Sequence, residues 1–262
     1  MNARVLVLFP VLMIFILGCG SSDYSGPGII YGCDGSGAGV MLRWGPSANR
    51  GMRKAGYDGK IKPFRWQTGL GVVADHTSSN EYKRSAAKGL AKQIAEHRSK
   101  YPEDPVYVAG LSAGCAVVIY ALEELPQSAW VDQVFLLSSS VSASYDLSRA
   151  LQRVRGKVYA FTSPRDGVLK KLVAQVGTAD RVHAGANISG LIGFRPPPGA
   201  TATVRQAYST KVQNIAWRRE FAAYGHHGGH TDVVATDFIA KYVSPLMVPA
   251  SGGSQRPARD AR

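Results

Sequence analysis

The chain has 262 residues, of which 45% are hydrophobic and only 19% charged, so it is not a disordered polymer and can bury one sizeable core. Its formal net charge is +13, yet the basic residues (Arg43, Lys54, Lys83, Arg153 and Arg218 among them) are scattered, with no block of five or six. That pattern describes a solvated basic surface, and no nucleic-acid-binding motif accompanies it.

In chain order, the first element is a leader. Arg4 precedes an apolar run over residues 5–17, broken only by Pro10 and followed by Gly18-Cys19. A basic start, a short apolar stretch and a small residue before the cut describe a secretory signal, too short for a membrane-spanning helix of about 20 residues. Ile16-Leu17-Gly18-Cys19 also resembles a bacterial lipobox, whose cysteine becomes the lipid-modified first residue. The expectation is a signal peptide over 1–18, lipidation at Cys19 and a flexible tether over 19–27 that holds the protein to a membrane in the cell envelope, with plain secretion as the alternative. With Cys19 acylated, only Cys33 and Cys115 remain. An exported pair is free to join, but two buried thiols are expected instead.

Residues 28–247 read as one α/β domain. Short β-rich runs at 29–31, 62–66, 106–109, 134–137, 158–162 and 212–217 alternate with helical patterns, which predicts a mainly parallel sheet of about six strands with helices on both faces. A helix over 81–99 carries Ala86, Leu90 and Ile94 on one stripe, with Ser79 or Asn80 as its cap. A helix over 113–125 is apolar nearly all round and is expected to be buried. A closing helix over 233–243 has Thr231 placed to cap it. Residues 174–204, rich in Gly, Asn and Pro, read as a surface excursion, and 248–262 as a polar, disordered tail.

Gly110-Leu111-Ser112-Ala113-Gly114 fits the pattern G-x-S-x-G. The pattern alone is weak, but here it follows a predicted strand and opens a buried helix, the context in which a serine is held on a sharp corner with its hydroxyl exposed. A serine hydroxyl needs a base, and the base needs an orienting acid. Asp166 lies just past the strand at 158–162 and is the first choice for the acid, with Asp180 and Asp146 in reserve. The histidines gather in the glycine-rich run Gly225-His226-His227-Gly228-Gly229-His230. His230 is the expected base, with His227 and His226 as alternatives. A metal site from His226 and His230 needs a helix to bring them together, which the glycines between them oppose. His76, His97 and His183 read as surface residues.

The chain order Ser112, Asp166, His230 resembles that of the α/β-hydrolase superfamily over most of residues 28–247. The resemblance implies a reduced α/β-hydrolase fold lacking the first two strands of larger members, acyl transfer through an acyl-enzyme, and no cofactor. It also implies an oxyanion hole from two backbone amides. One is Ala113. The other follows the first strand, where Asp34-Gly35-Ser36 stands in place of the family's His-Gly-x, which points to Ser36. No large cap is visible, so only 138–150 and 174–204 are available to cover an otherwise shallow, open site. The expected function is hydrolysis of a small acyl ester or an envelope-associated substrate. An acyltransferase with the same triad, or an inactive envelope-binding lipoprotein, are the rivals.

Overall fold

The computed structural model describes residues 28–37 and 44–247. The leader, Cys19, the tether and the tail at 248–262 lie outside the described residues. Six strands form one sheet: β1 (Ile29–Cys33), β2 (Lys60–Phe64), β3 (Val106–Leu111), β4 (Gln133–Leu137), β5 (Val158–Thr162) and β6 (Val212–Ala216). Their order is β2-β1-β3-β4-β5-β6, and every pair is parallel. The helices are α1 (Trp44–Lys54), α2 (Val72–Thr77), α3 (Asn80–Lys100), α4 (Gly114–Glu124), α5 (Ser148–Leu151), α6 (Ala174–Val176), α7 (Ser189–Ile192), α8 (Ala202–Lys211) and α9 (Thr236–Phe238). A π-helical turn, Leu169–Val173, runs directly into α6.

The inner strands β1, β3, β4 and β5 are buried along their whole length because side chains of alternate residues enter two different cores. Val106 and Val108 join a core with Leu90 and Ile94 of α3 and most of α4. Tyr107, Ala109 and Leu111, one residue out of step, face the opposite core with Met52 of α1 and Phe238 of α9. Helices thus cover both faces, and the parallel six-stranded α/β architecture expected from the sequence is the one formed. α4 is buried from Gly114 to Glu123, which explains why its apolar residues show no amphipathic stripe. In α3 the Ser79 hydroxyl caps the helix by accepting from the Tyr82 amide at 3.1 Å.

The outer strands differ. β2 begins two residues earlier than the sequence predicts, and Lys60 and Pro63 on it are exposed. On β6, the Asn214 side chain pairs with Phe194 like a second peptide group. Its Oδ1 accepts from the Phe194 amide and its Nδ2 donates to the Phe194 carbonyl, both at 2.9 Å.

Two other expectations need correction. The closing helix is broken: a 3₁₀ turn (Asp232–Val234), α9, a π turn (Ile239–Val243) and another 3₁₀ turn (Ser244–Leu246) follow one another, with extended backbone at Ala235. Thr231 makes no side-chain cap there. The stretch 174–204 is no surface excursion either. Thr178, Ala179, Ile188, Ser189 and Phe194 within it are buried. Asp180 fixes it to the segment after β4, accepting from the Ser142 amide at 2.9 Å and the Ser142 hydroxyl at 2.6 Å. Cys33 and Cys115 are free, buried thiols. Burial pushes the Cys115 thiol up to about 12 and holds Cys33 protonated as well, so neither is a thiolate at neutral pH.

Candidate active site

β1 is flanked by β2 on one side and β3 on the other, so the chain reverses its direction of travel across the sheet between β1 and β3. At such a switch point the loops leaving the two strands diverge and open a crevice beyond their carboxyl ends. A cleft of about 450 Å³ lies there, lined by the Asp34–Gly37 loop after β1, by Ser112 after β3 and by His230.

Ser112 sits at φ +53°, in the left-handed region, between β3 and α4. That conformation costs a non-glycine residue about 1–3 kcal/mol and persists only where its surroundings enforce it. Here they do. The Ser112 amide donates to the Leu137 carbonyl at 2.9 Å, and its own carbonyl accepts from the Cys115 amide at 3.1 Å. The flanking glycines allow the backbone to fold this tightly. A Cβ on Gly110 would lie 2.8 Å from the Cys115 backbone, and one on Gly114 only 2.4 Å from the carbonyl oxygens of Cys33 and Asp34. The motif glycines are therefore demanded by contact between neighbouring chain segments.

Asp166 is wholly buried and uses both carboxylate oxygens. Oδ1 accepts from the Val168 and Leu169 amides, each at 3.0 Å, as the cap of the helical stretch that follows. Oδ2 lies 2.7 Å from Nδ1 of His230. A carboxylate only accepts, so Nδ1 carries the hydrogen and Nε2 keeps a free lone pair. The reserve acids are engaged elsewhere: Asp180 holds Ser142, and exposed Asp146 accepts from the Ser148 amide at 2.9 Å.

The loop carrying His230 is held by polar clamps. Asp232 Oδ2 accepts from the amides of His227 (3.1 Å) and Gly229 (2.8 Å). Ser163 donates its hydroxyl to the Gly228 carbonyl at 2.8 Å, and the Trp217 indole donates to the His226 carbonyl at 2.8 Å. His226 is buried, stacked on Phe221 and edge-on to Phe238, and burial depresses it to about 4. His227 is exposed. Neither alternative base lines the cleft with Ser112.

For the expected oxyanion donors, neither the Ala113 nor the Ser36 amide has a hydrogen-bond partner among the described residues. The Ser36 hydroxyl is likewise buried without one. Their loop is rigidly held. The Trp66 indole donates to the Asp34 carbonyl at 2.7 Å, Gln67 to the Gly35 carbonyl at 3.0 Å, and the Gly37 amide to Asp75 Oδ2 at 2.7 Å.

Sequence reasoning missed α2, which supplies one wall of the cleft. Asp75 on it is buried and also accepts from the Thr68 amide and hydroxyl, at 2.7 and 2.6 Å. His76 is buried and lines the cleft, where a surface residue was expected; its Nε2 lies 2.8 Å from the Gly177 carbonyl just past α6. Burial depresses its basicity, and a Lys83 charge nearby acts the same way. Lys83 is itself fully buried and donates to the His76 and Ser78 carbonyls at the end of α2. His97, also expected at the surface, packs against Tyr101 with its side chain largely enclosed. His183 is exposed as expected. The cleft is covered by α2 and by the stretch from Val168 through α6, so it is walled on two sides instead of shallow. Residues 138–143 are buried and form no part of that wall.

No family model matches the chain, and no curated protein does either. Among solved structures it is similar to the esterase domain of a Rhodothermus marinus protein, at 14% identity over 86% of this chain and 87% of that one, with a TM-score of 0.45. It is also similar to a putative α/β-superfamily hydrolase of Xanthomonas campestris (13% identity, 81% and 96% of the two chains, TM-score 0.40). A third is a Trichoderma reesei cutinase in complex with a phosphonate inhibitor (16%, 85% and 77%, TM-score 0.38). These are loose superpositions.

Proposed function

We propose that this chain is a serine hydrolase of carboxylic esters that works through an acyl-enzyme, with Ser112 as nucleophile, His230 as general base and Asp166 as its orienting acid. The observation that carries the reading is the 2.7 Å contact between Asp166 and His230 Nδ1, in a cleft that also holds a strained Ser112. His230 Nε2 takes the hydroxyl proton as Ser112 attacks the ester carbonyl, and returns it to the leaving alcohol. The imidazolium formed in between is stabilised by the buried Asp166 carboxylate. The amides of Ala113 and Ser36, which have no partner among the described residues, receive the negative charge on the carbonyl oxygen, fixed in place before the reaction begins. Water then attacks the acyl-enzyme by the same proton route. Transfer to another alcohol differs only in the final acceptor. We further propose the envelope location expected from the leader and Cys19.

The test is direct. Ser112→Ala and His230→Ala are each expected to lower turnover of a p-nitrophenyl ester on the order of 10⁴-fold, and the double variant to be barely worse, because the residues act as one unit. A fluorophosphonate should label wild type at Ser112 and label His230→Ala slowly. Undiminished labelling of Ser112→Ala, or normal turnover in His230→Ala, removes that residue from its role. A wild type that neither labels nor cleaves any short ester defeats the reading.

A further inference from the structure

Beside the Asp34–Gly37 loop, Ser112 and His230, the cleft is lined by an apolar set, Val72 and Val73 on α2 and Val168, Leu172, Val173 and Val176 on the stretch after Asp166, with His76, Thr77 and Thr231 as its further polar members. Val72 adjoins the loop at Gly37, where an added Cβ would lie 2.3 Å from its Cγ2. These apolar side chains are not a closed core: Val73 is 63% exposed, Val72 52%, Val168 40% and Leu172 39%. Two such lips around one opening leave contiguous apolar surface in water, and that surface leads directly to the nucleophile.

The charges point the same way. In a protein of net charge +13, no lysine or arginine lines the described cleft. His76 is its other titratable base besides His230, and burial holds that ring toward its neutral form. A phosphate, carboxylate or sulfate on the substrate would find no lysine or arginine among the described lining residues. The walls are also preformed. Asp75 anchors α2 to the Gly37 amide, Lys83 holds its C-terminal end, and His76 ties it across the cleft to Gly177, so binding a chain between the lips requires little ordering of the protein.

On the hydrolase reading above, we infer that the substrates are esters of uncharged medium-chain fatty acids, with the acyl chain lying between α2 and the Val168–Val176 lip. At about 30 Å³ per water-sized group, a cleft of 450 Å³ holds on the order of 15 such groups. With the ester and its alcohol taking half, about six to eight carbons remain for the acyl chain.

The test is a series of p-nitrophenyl esters from acetate to dodecanoate, with kcat/KM read below the concentration at which each aggregates and the rate then followed through that concentration. Full burial of a methylene is worth about fourfold in affinity, and a groove open on one side about half that in free energy, or twofold. The ratio kcat/KM should therefore climb about twofold per methylene, on the order of 50-fold from acetate to octanoate, and level off beyond. Val73→Asp and Leu172→Asp should each lower the octanoate-to-acetate ratio at least tenfold. Ile192→Asp, an equally exposed apolar position outside the cleft, should leave both rates unchanged. A flat or falling series with acetate still cleaved overturns the acyl groove and leaves the hydrolase reading intact. So does a preference unchanged in both cleft variants, or a rate that jumps only once the ester aggregates, which marks the lips as a surface-adsorption patch. Failure to cleave any ester, with no label on Ser112, overturns the hydrolase reading and this inference with it.

Discussion

The corner that bears Ser112 and the loop that bears His230 bring their side chains to one cleft by different physical means. The corner is held by packing: backbone meets backbone at distances that leave no room for a single methyl group at Gly110 or Gly114. The histidine loop is held by a few polar side chains, chiefly Asp232, Ser163 and Trp217. A packed corner cannot yield without moving the sheet beneath it. A clamped loop can lose one clamp and keep its fold, but its histidine then wanders, and a misplacement of about 1 Å can cost on the order of 100-fold in rate.

The contrast can be broken by mutation. Gly114→Ala is expected to have the largest effect on stability, about 3 kcal/mol or more, because its Cβ would press into two carbonyl oxygens that cannot rotate away. Thermal or urea unfolding measures it directly. Asp232→Ala should be gentler on the fold, about 1–2 kcal/mol, yet lower kcat/KM by about 10- to 100-fold as the amides of His227 and Gly229 lose their acceptor. If Asp232→Ala unfolds the protein as readily as Gly114→Ala while folded molecules keep their full kcat/KM, the distinction fails.

The smallest effect should come from pH. His226, buried beneath the loop, is depressed to about 4 from its unfolded value near 6.5. The unfolded chain therefore binds its proton first as pH falls, so the stability His226 contributes is complete above about pH 6.5 and is lost toward pH 4. Largely enclosed His97, also depressed to about 4, adds in the same direction. Melting curves should show Tm falling by about 2–6 °C between pH 6.5 and 4.5. His226→Phe, which keeps a ring against Phe221, should flatten that slope. An unchanged slope would place the acid sensitivity elsewhere.

The difference between the two regions also governs what the sequence discloses. A corner made by local close approach must carry its glycines beside its serine, so 110–114 is readable from five residues. Asp166 and His230 stand out as candidates because each lies in a short loop at the end of a recognisable run, and the fold brings their side chains within 2.7 Å. α2 was not found, since six residues with no side-chain cap leave too little periodicity, and its work is done through distant partners. His76 reaches a carbonyl at Gly177, and Asp75 an amide at Gly37, neither of which any local pattern announces. β2 slipped by two residues because Lys60 and Lys62 interrupt its apolar run, as an edge strand's charges do. The stretch 174–204 was misjudged for the opposite reason. Its Gly, Asn and Pro content hid buried anchors such as Ile188 and Phe194, and the Asp180 carboxylate that secures it meets its partner 38 residues upstream.

The outer strand β2 carries a consequence for how molecules of this protein meet one another. The Lys60 amide bonds inward to the Gly28 carbonyl at 2.9 Å, so alternation along β2 turns position 63 outward, and the proline there has no hydrogen to offer. An incoming strand would face that gap beside the charge of Lys60. The sheet is thus blunted at its β2 margin against growth by strand addition, the route by which exposed ladders template aggregates.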